Sequence, residues 1–260
     1  MSIFDIPVRD WMSPPLHTVG PDVHLPAVAR ILEDAGISGL PVVDAEMRPL
    51  GVLSRTDLLH QGASPRVTGT AHSSRQVPDR RAGDVIAGTP ICVQRDASLA
   101  EAVRHLRDAR IHRVLVLEGE RLVGIVSPWD VMRLVATSDL SQPIDTLMSG
   151  SVVTVPADAP TQSAIERLNN AHVHGLVVLD GDWPVGIFGQ DEALAAERWP
   201  DPTQVDQWQS ASLVALPSHI PVHRAAAQAV ATRCRHIVVM NANQIGGVVT
   251  PWDFVSVDRC

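Results

Sequence analysis

The hydrophobic pattern of the chain repeats four times. Each copy has a short apolar run that is typical of a β-strand, and a glycine follows 10 residues after its start (11 in the first copy). Because the runs are apolar at consecutive positions, the pattern predicts strands covered by helices. The four runs are LPVV, VLVL, LVVL and IVVM, and they begin at Leu40, Val114, Leu176 and Ile237.

A helical pattern precedes every strand pair. Apolar residues at i, i+3, i+4 and i+7 begin three residues after each of four polar positions, and this spacing forms one face of an amphipathic helix. In the second copy the pattern predicts that helix over residues 98–107. Each unit is therefore predicted as helix-strand-helix-strand-strand-helix. The four polar positions are Asp22, Asp96, Asp158 and His219.

The spacing places the repeats at about residues 8–60, 82–137, 144–198 and 205–259. A single unit of about 60 residues is marginally stable alone, so we expect the repeats to pair into two modules, 1–137 and 138–260. The stretch Gln61–Ala82 is rich in Ser, Gly, Pro and Arg and lacks periodicity, which predicts a flexible loop. A shorter break lies at residues 198–203.

Each second strand runs into a short motif: GVLSRTD, GIVSPWD, GIFGQDE and GVVTPWD. A hydroxyl residue with an acid three residues later, at a helix start, forms a capping box. The same helix N-terminus can bind an anion, because its backbone N–H groups are free and the positive end of the helix dipole lies there. The hydroxyl can donate to phosphate, the acid can accept from ribose hydroxyls, and the glycine can let a ligand approach the backbone. The motif pairs are Ser54 and Asp57, Ser127 and Asp130, and Thr250 and Asp253.

The third repeat departs from this pattern, because it has Gly189 in place of the hydroxyl residue and Glu192 in place of Asp. We expect the site that depends on this motif to be weak or empty.

Two repeats carry basic residues just before the first strand of the pair. The second has His112 and Arg113, and the fourth has Arg235 and His236. Arg offers a rigid fork for phosphate oxygens, and His adds charge below about pH 6.5. The alternative is a solvated pair at a strand edge. The sequence leaves open which motif each pair serves.

The layout resembles the CBS-domain family, the repeats of the cystathionine β-synthase type. The apolar run, the turn and the G-h-x-[ST]-x-x-D motif carry this resemblance. It implies an α/β fold in which four repeats form two modules and a disc. It also implies an adenosine ligand between paired repeats, of the AMP, ADP or ATP class. The Ser or Thr would then contact phosphate and the Asp the ribose, and a homodimer is a further expectation.

Composition narrows the function. The chain has 260 residues, a net charge of −8 and a pI of about 5.7, which argues against a nucleic-acid surface. No apolar run approaches the ~20 residues needed to cross a bilayer. The first residues, MSIFDIPVRDWMSPP, lack the apolar stretch of a signal peptide. Three cysteines without a CxxC pair fit a reducing cytoplasm.

We therefore expect a cytoplasmic sensor that binds an adenine nucleotide and regulates a separate, unidentified protein. No G-x-S-x-G, P-loop or HExxH sequence is present, so we do not expect an enzyme. The alternatives are a ligand-free interaction scaffold, or binding of S-adenosylmethionine, a dinucleotide or single-stranded nucleic acid.

Two further patterns stay open at this point. His219 and His223 have a spacing that suits zinc, but no third ligand is near in sequence, so we predict no metal site. Trp129 and Trp252 stand inside their motifs, where each can stack on an adenine or line a contact between modules.

Overall fold

Four small sheets, one for each predicted repeat, carry the fold in the computed structural model. The model describes residues 2–15, 17–62, 77–86, 88–149, 152–171, 173, 175–196 and 203–259. The predicted loop Gln61–Ala82 lies mostly outside these residues, and so does most of the break at 198–203.

The α-helices of the described ranges precede and follow the strand pairs. They are α1 (Leu25–Asp34), α2 (Arg55–Gly62), α3 (Leu99–Ala109), α4 (Pro128–Val135), α5 (Thr161–Ala171), α6 (Gln190–Ala196) and α7 (Val222–Thr232). Short 3-10 helices cover Val8–Asp10, Ala82–Asp84, Ile144–Thr146, Val205–Gln207 and Asp253–Arg259. None of the helices in the described ranges has the length and apolar content to cross a membrane.

The strands follow the predicted order. They are β1 (Gly39–Val43), β2 (Pro49–Ser54), β3 (Cys92–Gln94), β4 (Val114–Glu118), β5 (Arg121–Val126), β6 (Thr154–Pro156), β7 (Gly175–Asp180), β8 (Trp183–Gly189), β9 (Leu213–Pro217), β10 (His236–Asn241) and β11 (Gln244–Val249). In the second, third and fourth sheets a central strand pairs in parallel with the strand before its helix and antiparallel with the strand after it.

The first sheet is smaller than predicted. It has two strands, and the segment before α1 adds only an isolated parallel bridge between Val19 and Val42. Pro14, Pro15 and Pro21 flank this segment. Because proline lacks a backbone N–H, these residues limit how far the ladder can extend.

Every hairpin carries a β-bulge at the same place. The register shifts directly after the residue that faces the motif glycine: Val42 faces Gly51, Val116 faces Gly124, Val178 faces Gly186 and Val239 faces Gly247. A bulge at one equivalent position in four sheets has a common origin in the repeated sequence. The α/β fold of four repeats is therefore confirmed.

The main helices form where the periodicity predicts them. In the second repeat α3 begins after Ser98, whose side chain accepts a hydrogen bond from the Glu101 N–H, and it ends at Arg110 in the left-handed conformation. This helix buries Leu99, Val103 and Leu106. The predicted range of 98–107 is thus correct to within two residues at its C-terminal end.

The segments that lead into each repeat are exchanged between repeats. We call residues 6–13, 80–86, 142–149 and 203–210 the lead-in segments. The first pairs with the sheet of the second repeat through Ser13 and Ile125, and the third pairs with the fourth sheet through Ser149 and Val248. The fourth in turn pairs with the third sheet. The repeats are therefore joined in two pairs, first with second and third with fourth.

The exchange also completes the main helices. The first N–H of each helix has no intrahelical acceptor and needs another partner. In all four repeats a lead-in carbonyl of the paired repeat accepts it, at 2.7 to 2.9 Å. These hydrogen bonds run from Leu25 to Arg80, Leu99 to Ile6, Thr161 to Thr203 and Val222 to Gln142.

The motif glycines make room for the exchanged segments. A Cβ added at Gly247 would lie 2.8 Å from both the Met148 Sδ and the Ser149 carbonyl oxygen, and one at Gly51 would lie 2.7 Å from the Ile86 Cβ. The expectation that these glycines admit a ligand to the backbone is therefore wrong. Side chains of the paired repeat occupy that space.

The two pairs of repeats share a core. One hydrophobic cluster joins residues of the second repeat, such as Met132 and Val135, to Ala225 and Phe254 of the fourth. Helix α4 packs on α7 and on the last 3-10 helix, while α2 packs on α6 of the third repeat. Every repeat consequently has neighbours in both pairs.

We predict that Gly247→Ala lowers the free energy of unfolding by about 1–3 kcal/mol, because the new methyl group overlaps a backbone oxygen that cannot rotate away. Urea denaturation measures the change. Gly20→Ala is the matched control, since an added Cβ there meets nothing within 4 Å. Equal midpoints for both variants would contradict a tight crossing at Gly247.

Candidate functional site

In each of the three predicted motif pairs the carboxylate accepts hydrogen bonds from the hydroxyl residue of its own motif. The Asp57 carboxylate accepts hydrogen bonds from the Ser54 N–H at 2.8 Å and from its hydroxyl at 2.6 Å. Asp130 accepts the same two bonds from Ser127 at 2.9 and 2.6 Å. Asp253 accepts them from Thr250 at 2.6 and 2.9 Å. The hydroxyls that were predicted for phosphate thus donate to their own carboxylates in this structure.

The third repeat keeps half of this arrangement. The Glu192 carboxylate accepts from the Gly189 N–H at 2.9 Å. Burial raises the pKa of Glu192, while the hydrogen bond from Gly189 and the charge of Arg55 act in the opposite direction. Glu192 therefore caps its helix like the other acids, but Gly189 supplies no hydroxyl.

Arg113 reaches from the second repeat into the first. Its guanidinium donates to the Ser38 hydroxyl at 2.5 Å. A Cβ added at Gly39 would lie 2.8 Å from the Arg113 Cζ, so a larger residue there would displace the guanidinium. The structure thus places this basic residue against the first repeat, where Ser54 and Asp57 lie at the end of the neighbouring strand.

The second pair of repeats has a similar contact. A Cβ added at Gly175, the first residue of β7, would lie 3.0 Å from the His236 Nε2. His236 of the fourth repeat therefore lies against β7, the central strand of the third sheet. In both pairs a basic residue of the even-numbered repeat covers a glycine of the odd-numbered one.

Three arginines from three repeats act on one another; Arg55 is buried, Arg113 half-buried and Arg235 exposed. Partial withdrawal from water, followed by the charge of Arg235, lowers the pKa of Arg113 to about 10, with Asp57 opposing and Arg55 adding to the decrease. Desolvation also lowers the pKa of Arg235, and desolvation with the charge of Arg235 lowers that of Arg55. The three guanidinium groups therefore form one cluster of positive charge that runs from the buried Arg55 to the surface at Arg235.

Arg55 is the member of this cluster that sequence reasoning missed. It is 8% exposed, donates to the Leu32 carbonyl oxygen at 2.9 Å and forms an ion pair with Asp191 of the third repeat. Next to it, the Thr56 hydroxyl donates to the Gln190 side chain at 3.1 Å. A signal was present, because a cation follows the motif serine in the first repeat only.

His112 lies at the contact between the pairs. Its ring is 5.1 Å from that of Trp252, with an angle of 51° between the planes. Trp252 and Trp129 both pack against the shared core. For Trp252 the contact between modules is therefore the role that the structure shows.

The histidine pair considered for zinc has another contact. The His223 Nδ1 lies 2.6 Å from the Leu140 carbonyl oxygen. Within the described ranges no group of three His, Cys, Asp or Glu residues is arranged to hold a metal ion.

The structure thus brings part of the predicted site together. Asp57, Arg113 and Arg235 interact electrostatically, while His112 faces the fourth repeat and His236 the third. The binding roles of these residues, and of the three hydroxyl residues, stay predictions.

We predict that Glu192 makes stability depend on pH. Because its folded pKa is raised, the protonated side chain favours the fold at low pH, and this contribution is lost as the pH rises through the folded pKa. The free energy of unfolding of the unaltered chain, relative to Glu192→Gln, should fall between pH 4.5 and 7.5. Each tenfold change in proton affinity corresponds to ~1.4 kcal/mol.

Urea denaturation at the two pH values measures this difference. The control variant is Glu166→Gln on the exposed face of α5, which also removes one negative charge. A difference for Glu192→Gln that is the same at both pH values would contradict the raised pKa.

Comparison with known proteins identifies the repeat. A sequence model of the CBS domain matches residues 8–63, 82–137 and 144–198, more than half of the chain. Protein MJ1404 of Methanocaldococcus jannaschii is 30% identical over 136 residues, which are 51% of this chain and 32% of that protein. A 33.4 kDa protein of the ribosomal RNA operon of Thermofilum pendens is 24% identical over 180 residues, 64% of this chain and 56% of that protein. The chain thus spans between a third and just over half of these relatives.

A solved structure extends the likeness to the whole fold. Protein MJ1225 of M. jannaschii, proposed as an archaeal homologue of the gamma subunit of AMP-activated protein kinase, superposes with a TM-score of 0.79 at 15% identity. The superposition covers 96% of this chain and 99% of that protein, and at this identity it shows the fold alone. With three matched repeats, and a fourth sheet that has the same order and bulge, the chain belongs to the CBS-domain family.

Proposed function

We propose that this chain is a regulatory protein that binds an adenine nucleotide, of the AMP, ADP or ATP class, between paired CBS repeats. It would signal the bound state to a separate protein partner in the cytoplasm, and it would catalyse no reaction itself. The proposal includes the division into modules 1–137 and 138–260.

The arginine cluster carries this proposal. Arg55, Arg113 and Arg235 come from three repeats, and the charge of Arg235 contributes to the lowered pKa values of the buried Arg55 and the half-buried Arg113. Holding like charges close together and partly out of water costs free energy. Phosphate groups would offset that cost and would accept hydrogen bonds in the fork geometry that a guanidinium offers.

The surroundings of Arg113 suit the rest of a nucleotide. Asp57 lies near enough to stabilise the charge of Arg113, and it stands at the start of α2. A carboxylate beside a phosphate site can accept hydrogen bonds from the two ribose hydroxyls. The proposed site thus uses the groups that the two paired repeats bring together.

An interaction scaffold is the second candidate, and the hydrogen bonds that the motif acids already accept favour it. All four acids accept from the backbone N–H at the start of their own helix, which is sufficient reason for their presence. In a scaffold the arginine cluster would serve only the contacts between repeats.

A thermal unfolding series separates the candidates. The purified chain, shown to carry no co-purified nucleotide, is heated with AMP, ADP, ATP, NAD or S-adenosylmethionine. A ligand at 100 times its Kd adds about 2.7 kcal/mol, which raises the midpoint by roughly 5–10 °C in a chain of this size. A rise with an adenine nucleotide supports the sensor. Flat midpoints at millimolar concentration support the scaffold, and a rise with NAD or S-adenosylmethionine alone changes the ligand class.

We predict that Arg113→Gln weakens nucleotide binding about 10- to 100-fold, because hydrogen bonds to a charged group contribute about 1.5–3 kcal/mol. Its midpoint without ligand should be equal or higher, since a half-buried cation beside Arg235 is removed. Isothermal titration and thermal unfolding measure the two effects. Arg121→Gln, an exposed arginine of β5, is the control. Unchanged affinity in Arg113→Gln would contradict the proposed site.

A further inference from the structure

The hairpin end of the third sheet carries an exposed apolar groove of about 640 Å³. Trp183, at the start of β8, is 61% exposed, and Val185, two residues later, is 37% exposed. Val185 is left open because the β-bulge of this hairpin gives it no facing residue on β7. The apolar part of the groove lining comprises Pro156, Ala157, Leu179 and Val185.

The groove lies at the opposite end of the sheet from the motif. Gly175 at the start of β7 faces Gly189, while Asp180 at the end of β7 faces Trp183. A strand rises about 3.3 Å per residue, so the two ends of β7 are roughly 17 Å apart. None of the residues that line the groove belongs to the proposed nucleotide site.

Acidic side chains surround the groove, and all of them are exposed. Within the described ranges none of these acids has an ion-pair partner. Arg167 reaches the same place, but its guanidinium donates to the Thr154 carbonyl oxygen at 2.6 Å. The acids are Asp158, Asp180 and Asp206 in the lining and Asp182 in the adjoining turn.

The equivalent surface of the second repeat is balanced in charge. Arg9 forms an ion pair with Asp96, and Arg95 forms one with Glu118 at 2.7 Å. Arg121 is a third exposed cation there. The repeat spacing places other residues at the three arginine positions of the third repeat, which are, in the same order, Asp206, Ala157 and Trp183. The third repeat thus keeps the acids and lacks the cations that neutralise them.

We propose that this groove docks an arginine-bearing segment of a partner protein. Charge complementarity identifies the occupant, because a partner guanidinium would supply here the positive charge that the second repeat obtains from its own pair. Arginine meets a carboxylate through two parallel hydrogen bonds and can also lie on the exposed ring of Trp183. The inference goes beyond nucleotide binding, since a scaffold needs such a surface as much as a sensor does.

The probe is a short fluorescein-labelled peptide of alternating Arg and Val, and a peptide with Glu in place of Arg is its control. Fluorescence anisotropy at low ionic strength measures the Kd. We expect only the Arg peptide to bind, with an affinity that falls as salt screens the charges. Trp183→Gln should weaken binding about three- to fivefold, because the cation–π contact is lost. Gln244 occupies the same place in the fourth hairpin, so the new residue suits this turn.

A matched pair of double variants separates local from general charge. Asp180→Asn with Asp182→Asn should weaken binding of the Arg peptide about three- to 10-fold, since two exposed ion pairs are lost. Glu118→Gln with Glu120→Gln removes the same charge from the equivalent hairpin of the second repeat. This control should keep the Kd within about twofold.

Ala157→Arg tests the comparison between repeats directly. It restores the cation that the second repeat has as Arg95, so that Asp180 gains a partner within the chain, and binding should weaken about 10-fold. Gln244→Arg adds the same charge to the fourth hairpin and should leave the Kd within about twofold. Thermal unfolding confirms that each variant is folded, and the rise of the midpoint with nucleotide should be the same as in the unaltered chain.

Four results would overturn the docking surface. The first is an Ala157→Arg chain that binds the Arg peptide as tightly as the unaltered chain. The second is an equal loss of affinity in the Glu118 and Glu120 variant and in the Asp180 and Asp182 variant. The third is no binding by the unaltered chain at millimolar peptide. The fourth is a dimer in sedimentation that Ala157→Arg dissociates, which would assign the groove to a second copy of the chain.

These outcomes do not decide the proposed function. The thermal unfolding series with nucleotides tests that function on the unaltered chain, without the peptide. A chain that binds nucleotide but not the Arg peptide would keep the sensor and lose the docking surface.

Discussion

The reciprocal exchange of lead-in segments is the interaction on which the rest of the structure depends. In every repeat the first N–H of the main helix donates to a carbonyl of the paired repeat, and the motif glycine is crossed by that repeat's lead-in side chain. No repeat therefore completes its own helix start. A buried helix end without partners is costly, so a single unit of this type has a strong reason to pair.

The same exchange determines where cations meet. It brings the second repeat onto the first, so that Arg113 lies over Gly39 and donates to Ser38. Packing of the two pairs then brings Arg235 and Arg55 close enough to act on its charge. Only Asp191 forms an ion pair with these three arginines among the described residues. The fold thus gathers three cations, one of them buried, and an anionic ligand is one means of relieving their repulsion.

Local sequence patterns predicted the repeated part of the fold well. The helix periodicity, the apolar runs and the capping boxes depend on residues close in sequence, and α3 and the box of Ser127 and Asp130 lie where they were predicted. Contacts between repeats follow from the exchange and from packing, which no local pattern encodes. For this reason the role of the motif glycines was mistaken and Arg55 was missed, although a cation beside Ser54 is visible in the sequence.

The position of the arginine cluster links binding to the geometry of the whole chain. Arg55 holds α2 of the first repeat to the third repeat through Asp191, and its charge is coupled to those of Arg113 in the second repeat and Arg235 in the fourth. A ligand that neutralises Arg113 removes a repulsion that acts across both pairs. A partner protein can detect such a ligand only if the pairs of repeats have two arrangements and these differ in their affinity for the ligand. Because the cluster spans three repeats, a nucleotide bound as proposed would change the electrostatic balance of the contact between pairs, which is the physical coupling that the proposed regulatory role requires.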